Sequence, residues 1–308
     1  MTNPLAVLFV CGRATDIDTS YNLEGEIMTR IAFLGLGAMG QRMAAHLLEA
    51  HELTVYNRTA SRAEALIEAG AAFAETPAVA VRDAEVVISM VTDDTASEQL
   101  WLTPEHGAIH DLRAGALVLE SSTVTPEWIA RLGERIHARE ARLLDAPVAG
   151  STPQAEARQL AFLVGGASED VEEATPIMSL MGANILHAGE LTHGATLKLV
   201  VNALFASQVA LMAELLQAVQ SAGLDQAKIL GLLSKMPVTS PAAVGAANLM
   251  IAEDHAPRFP VDLVSKDLGY ARNLGPMPVV AAAHGRFEEA RRAGLGDKNI
   301  SVVHALKP

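Results

Sequence analysis

The sequence predicts an α/β chain: an N-terminal doubly wound parallel sheet, then a long interdomain helix leading into a C-terminal all-α domain. Three observations carry this. From residue 30 to about 190, short apolar runs alternate with stretches of helical period, the pattern of strands joined by crossover helices. The first run ends in a Gly-x-Gly-x-x-Gly turn that opens a helix. Past residue 224 no extended run recurs, and prolines punctuate successive helical segments.

Composition narrows the options. At 308 residues, two domains are expected rather than one. Half the residues are hydrophobic and 19% are charged, an ordinary globular balance. The net charge of −13 argues against nucleic acid and anionic membrane as partners, because both reward a basic surface. The single cysteine, Cys11, permits no internal disulfide and suits a reducing, cytoplasmic setting. No run of about 18 uncharged apolar residues appears, so no membrane span is expected. Residues 1–28 end at a second methionine, Met28, and read as a loose N-terminal extension. Residues 29–190 form the expected sheet domain, and 191–308 the helical domain.

Taken in order, Arg30-Ile-Ala-Phe-Leu is the first strand, and Gly35-Leu36-Gly37-Ala38-Met39-Gly40 the turn after it. A helical period (Met43, Leu47, Leu48) and a second strand, Leu53–Asn57, follow. Strand, glycine turn, helix and strand together form a dinucleotide-binding, Rossmann-type fingerprint. Gly35 permits the tight turn, Gly37 leaves room for a pyrophosphate, and Gly40 lets the helix pack on the strand. The helix N-terminus favours phosphate. At the tip of the second strand stands Asn57-Arg58-Thr59, with no carboxylate. A carboxylate there would hold ribose hydroxyls, whereas Arg58 can pair with a 2′-phosphate. NADP(H) is therefore expected over NAD(H), unless Arg58 merely points to solvent.

The alternation continues through a helix at Ser61–Ala69, an extended Ala72–Ala74, a helical turn at Pro77–Arg82 and a strand at Val86–Met90. Val91 and Thr92 follow that strand, at the sheet edge where ligands of open α/β folds sit. Next come a strand at Leu117–Glu120, the segment Ser121-Ser122-Thr123, a helix from Pro126 to about Ala138 and a strand at Ala141–Asp145. Pro147, Gly150 and Pro153 then break regular structure. The Gly150–Ser151 turn reads either as a carboxylate nest or as a plain loop. Ala161–Val164 and Asn184–His187 are strands flanking a helix at Ser168–Met181.

Residues 194–223 read as one uninterrupted helix, with no charge between Lys198 and Glu214. A helix apolar nearly all round is a buried one. Lys198 and Asn202 share one face, a turn apart. Lys198 either snorkels to water from the first turn or serves a site. A small helical domain is not expected to cover such a helix on every side, so a homodimer or homotetramer is expected. Four helices follow, near 226–236, 242–252, 261–274 and 279–293. The histidines show no shared metal spacing, and no metal is expected.

These residues resemble the β-hydroxyacid dehydrogenase family over nearly the whole chain. The glycine turn matches its nucleotide motif, and Ser121-Ser122-Thr123-Val124 its Ser-Thr-Val segment. Asp145-Ala-Pro-Val-Ala-Gly-Ser matches its substrate motif, and Gly194-Ala-Thr-Leu-Lys198-Leu-Val-Val-Asn202 its catalytic helix. Lys266-Asp267-Leu268 and Gly294-Leu-Gly-Asp297 match its closing motifs. Asn57-Arg58-Thr59, Ala155-Glu156 and Gln159-Leu160 look most like the glyoxylate/succinic semialdehyde reductase branch, which uses NADPH. Three positions depart from the pattern: Ala149 where Ser is usual, Ala203 where a second Asn is common, and Arg158 where Gly is usual. Arg158 is expected to add a cation near the substrate.

The resemblance implies reduction of a small carboxylate aldehyde or 2-oxo acid. In this reading Lys198 stabilises and protonates the developing alkoxide, and Asn202 orients it. Ser122, Gly150 and Ser151 hold the substrate carboxylate, while Thr123 and Lys266 bind the cofactor, Lys266 near its nicotinamide end. Two other readings stay open at this point: an imine reductase, which commonly lacks the lysine, and a nucleotide-binding scaffold without catalysis.

Overall fold

The computed structural model describes residues 28–306; residues 1–27, and with them almost all of the expected extension, lie outside that range. The first half of the chain runs β1 Arg30–Leu34, α1 Gly40–Leu48, β2 Glu52–Tyr56, α2 Glu64–Glu68, β3 Ala72–Phe73, α3 Pro77–Val81, β4 Val86–Ser89, α4 Asp94–Leu102, β5 Leu117–Glu120, α5 Pro126–His137 and β6 Arg142–Asp145. It continues with β7 Val148–Ala149, α6 Thr152–Glu156, β8 Leu160–Gly165, α7 Ser168–Ser179 and β9 Gly182–Gly189. Helices complete the described chain: α8 His193–Ser221, α9 Gln226–Leu233, α10 Pro241–Ile251, α11 Val261–Ala271 and α12 Pro278–Arg292.

The nine strands form one sheet in the order β3-β2-β1-β4-β5-β6-β8-β7, with β9 also paired to β8. Both faces are covered. Along β1, Ile31 and Phe33 enter one core and Ala32 and Leu34 the opposite one, as a period of two requires when helices lie on both sides. Strands β1 to β6 pair in parallel. The far edge departs from the parallel expectation, because β8 runs antiparallel to β6 and β7. The physical reason is the connection: residues 146–159 hold only the two-residue β7 and the five-residue α6, too little to carry the chain back for a parallel return. Parallel pairing resumes between β8 and β9, which α7 connects.

Helix α8 leaves the sheet and becomes the axis of a third core. Leu199, Ala206, Val209, Ala213 and Leu216 pack there with residues of α10, α11 and α12. By length and mean hydropathy (1.8) α8 could cross a bilayer, yet half of that stretch is buried within the chain. The all-round burial expected of it holds on one side only: Val200, Leu204, Leu211 and Leu215 are exposed, Leu204 by 61%. A helix at 94–102 was not anticipated. Asp93 caps it by accepting from Ala96 N at 2.7 Å, and Ser97, Leu100 and Trp101 bury its inner face.

Candidate active site

A cleft of about 1480 Å³ runs between the carboxyl edge of the sheet and the helical domain. Its floor at one end is the glycine turn. Gly35 sits at φ +102°, where a Cβ would strike the Met90 carbonyl, and a Cβ on Gly40 would strike the Gly35 carbonyl. Gly37 has open space where its Cβ would be. Gly35 and Gly40 are therefore needed for close backbone packing and Gly37 for access, as a bound pyrophosphate requires. Helix α1 starts at Gly40 beside this space, and a helix start presents unpaired N–H groups to an anion. The residues fit a dinucleotide.

The sequence-predicted nucleotide residues divide here. Gly35, Gly37, Ala38, Met39, Gly40, Asn57, Arg58, Thr59, Val91, Thr92 and Thr123 line the cleft. Leu36 does not: its side chain is fully buried, while its N–H donates to Asn57 Oδ1 at 2.9 Å. Asn57 also donates to the Thr59 carbonyl at 2.9 Å, so it braces the turn beneath the ligand space. Arg58 is exposed on the cleft wall.

At the other end, α8 brings Lys198 and Asn202 to the wall. Lys198 is only 8% exposed, which rules out the snorkelling reading. Its Nζ donates to Asn202 Oδ1 at 3.0 Å, and Asn202 Nδ2 donates to Asp267 Oδ2 at 2.6 Å. Asp267 in turn pairs with Lys266 at 3.0 Å. Burial lowers the Lys198 pKa to about 8; Asp267 opposes that shift and Lys266 adds to it. Lys266 Nζ donates to the Thr123 carbonyl at 2.7 Å and stands 5.0 Å from the Tyr270 ring centre. Tyr270 accepts from Asp94 N at 3.3 Å. Helix α11 thus reaches across the cleft to the sheet edge.

The substrate loop differs more from expectation. Ser122 is buried off the cleft wall; its Oγ accepts from Val91 N at 2.8 Å, and its N–H donates to Glu120 Oε1 at 3.0 Å. Its place is behind the cofactor-side loop rather than on the substrate. Gly150 and Ser151 do line the cleft. Ser151, however, donates its N–H to Gln154 Oε1 at 3.0 Å and its Oγ to the Arg258 carbonyl at 3.1 Å. Arg158 points away, to His46 Nδ1 on α1 at 3.1 Å and to Glu49 just past that helix. It fastens the segment after α6 to the end of α1 and adds no cation to the substrate space.

Two carboxylates were missed as site residues. In the sequence Asp267 is only part of the Lys266-Asp267-Leu268 motif; in the structure it accepts from Asn202, the partner of Lys198. Asp145, at the end of β6, accepts from Thr192 N at 2.9 Å and Ala195 N at 2.6 Å. It thereby holds the first turn of α8, three residues before Lys198. Burial raises its pKa to about 6 against the pull of those two N–H donors. Among the described residues, no cluster of three or more His, Cys, Asp or Glu is placed to hold a metal ion.

A nucleotide floor, a buried lysine–amide pair and a helical wall carried on one long helix now stand together. The family description "NAD binding domain of 6-phosphogluconate dehydrogenase" matches residues 30–189. A second, "NAD-binding of NADP-dependent 3-hydroxyisobutyrate dehydrogenase", matches residues 192–306. The chain belongs to the β-hydroxyacid dehydrogenase family. It is similar to glyoxylate/succinic semialdehyde reductase 1 of Arabidopsis thaliana, 33% identical over 90% of this chain and 98% of that one. It is also similar to 3-sulfolactaldehyde reductase of Escherichia coli, 34% identical over 90% and 95%. Among solved structures, 3-hydroxyisobutyrate dehydrogenase of Mycobacterium tuberculosis superposes with a TM-score of 0.80 at 27% identity, over 90% of this chain and 98% of that one. A reductive aminase of Aspergillus terreus superposes at 0.56 with 26% identity, over 90% and 98%. The protein is an NAD(P)-dependent dehydrogenase or reductase of this family.

Proposed function

We propose that the protein reduces a small aldehyde or 2-oxo acid bearing a carboxylate, with NADPH preferred over NADH and Lys198 as proton donor. The observation that carries the proposal is the buried Lys198–Asn202 pair on the wall of the same cleft as the glycine turn. A reduced nicotinamide supplies hydride to the carbonyl carbon. Lys198 Nζ hydrogen-bonds the carbonyl oxygen and gives up a proton as the alkoxide forms. Its lowered pKa makes it a stronger acid near neutral pH than an exposed lysine. Asn202 holds the ammonium at a fixed angle, and Asp267 keeps it protonated. Preference for NADPH rests on Arg58 at the tip of β2 and the absence of a carboxylate at 57–59.

An imine reductase is the second reading, supported by the fold shared with the reductive aminase. Lys198 weighs against it. The exposed stripe on α8 supports assembly into a homodimer or homotetramer.

The test follows nicotinamide absorbance with glyoxylate, succinic semialdehyde, methylmalonate semialdehyde, tartronate semialdehyde and one cyclic imine, with NADPH and NADH in parallel. The expected result is turnover of an acid aldehyde that Lys198→Ala lowers by about 10²–10⁴-fold in kcat/KM. Loss of less than a few-fold would remove Lys198 from the mechanism. Turnover of the imine alone would transfer the chain to the second reading.

A further inference from the structure

We infer that Arg258 selects the substrate, by binding an anionic group set several bonds away from the reacting carbonyl. The inference rests on the reductase reading above and names the substrate class within it: ω-carboxy or ω-sulfo aldehydes rather than glyoxylate.

Four lysine and arginine side chains, Arg58, Lys198, Arg258 and Lys266, line the cleft, and three of them have a place already. Arg58 stands at the glycine-turn end. Lys198 faces the reacting oxygen. Lys266 is engaged by the Thr123 carbonyl and by Asp267. The substrate loop offers no other cation: Ala149 has no polar side chain, both donors of Ser151 are spoken for, and Gln154 and Gln159 bring only neutral amides. Arg258 remains. Its side chain is 46% exposed, and only Nη2 is committed, to Asp254 Oδ2 at 2.9 Å. Nε and Nη1 have no partner among the described residues, and Nη2 keeps a second N–H, so the guanidinium still has donors to offer an anion.

The main chain beneath it is fixed. The buried Asn299 accepts from Arg258 N at 3.3 Å and from Phe259 N at 3.0 Å. The Arg258 carbonyl accepts from Ser151 Oγ. These bonds fix the Arg258 backbone at the substrate loop, with the residue on the cleft wall. Its distance from the chemistry decides the substrate. Val261 opens α11, and Asp267, which contacts Asn202, lies six positions further, about 9 Å of helical rise. Arg258 precedes that start by three residues. It therefore serves an anion at the far end of the substrate, not one bonded to the carbonyl carbon.

The experiment compares wild type, Arg258→Met and Arg258→Lys on four aldehydes under saturating NADPH. These are succinic semialdehyde, 3-sulfolactaldehyde, glyoxylate and uncharged butanal. The expected result in Arg258→Met is a KM raised about 10- to 100-fold for at least one ω-anionic aldehyde, with kcat within about twofold. Glyoxylate and butanal keep their KM within about twofold, and Arg258→Lys recovers part of the loss. The aldehyde with the larger loss identifies carboxylate or sulfonate as the anion served. Equal changes on all four aldehydes, or no change on any, would overturn the inference. If wild type reduced none of the four, the reductase reading would fall, and calorimetry of succinate binding to the NADP⁺-loaded protein would decide the role of Arg258 separately. Weakened binding in Arg258→Met sustains it; unchanged binding, or none by wild type, overturns it.

Discussion

Replacing Asp267 by Asn tests whether the acid strength of Lys198 is set from α11. The carboxylate reaches Lys198 through one amide: 2.6 Å from Asp267 Oδ2 to Asn202 Nδ2, and 3.0 Å from Asn202 Oδ1 to Lys198 Nζ. With an amide in between, the charges lie about 7 Å apart. At an effective dielectric of about 20 their attraction is roughly 2 kcal/mol, or about 1.5 pH units. Reduction needs the protonated lysine, so kcat/KM is flat at low pH and falls as pH rises through the Lys198 pKa of about 8. Asp267→Asn keeps an acceptor for Asn202 but removes the charge. The falling limb should move down by about 1.5 units. Lys266→Met removes a positive neighbour that holds the pKa down, so its limb should move up. The assay is initial rate against pH from 5.5 to 9.5 at saturating NADPH. If both variants moved the limb in the same direction, or neither by more than about 0.3 units, Lys198 would not be coupled to these two charges.

Three further outcomes follow from the geometry. Arg58→Ala should lower kcat/KM for NADPH by about 10- to 100-fold, the worth of one charge-assisted contact, and leave NADH within about twofold. Gly194→Ala should cost about 3 kcal/mol and roughly 5 °C in Tm, because the new Cβ meets the Leu163 and Asp145 carbonyl oxygens; differential scanning calorimetry reads it. Leu204→Glu with Leu211→Glu, at positions 61% and 55% exposed, should leave secondary structure intact by circular dichroism. The same pair should reduce the light-scattering mass to that of one 32.4 kDa chain; an unchanged larger mass would place the assembly surface elsewhere.

Much of the fold was readable because its signals are local. The glycine turn, the apolar strands and the uncharged run of α8 each announce themselves within a short window. Lys198 and Asn202 were legible together because a helix puts residues four apart on one face. What escaped the sequence depends on partners far along the chain. Asp267 meets Asn202 across 65 positions, and Asp145 holds the start of α8 across 47 and 50. Ser122 and Arg158 kept their expected positions but turned their side chains elsewhere, because a nearer acceptor or donor was available: the Val91 N–H for one, His46 and Glu49 for the other. The antiparallel β8 follows from a short connection whose length was visible, though its broken, proline-rich sequence hid the strand β7 within it.

The attachment of α8 to the sheet has one more consequence. Lys198 rides on a helix whose first turn is pinned to β6 by Asp145, while the two charges that tune its proton affinity ride on α11. Helix α11 packs on α8 in the third core, and Asn202 joins Lys198 to Asp267 across the two helices. The ammonium and the carboxylate that tunes it are therefore built on the same side of the cleft, and the acid strength of Lys198 is set within the helical core before any substrate arrives.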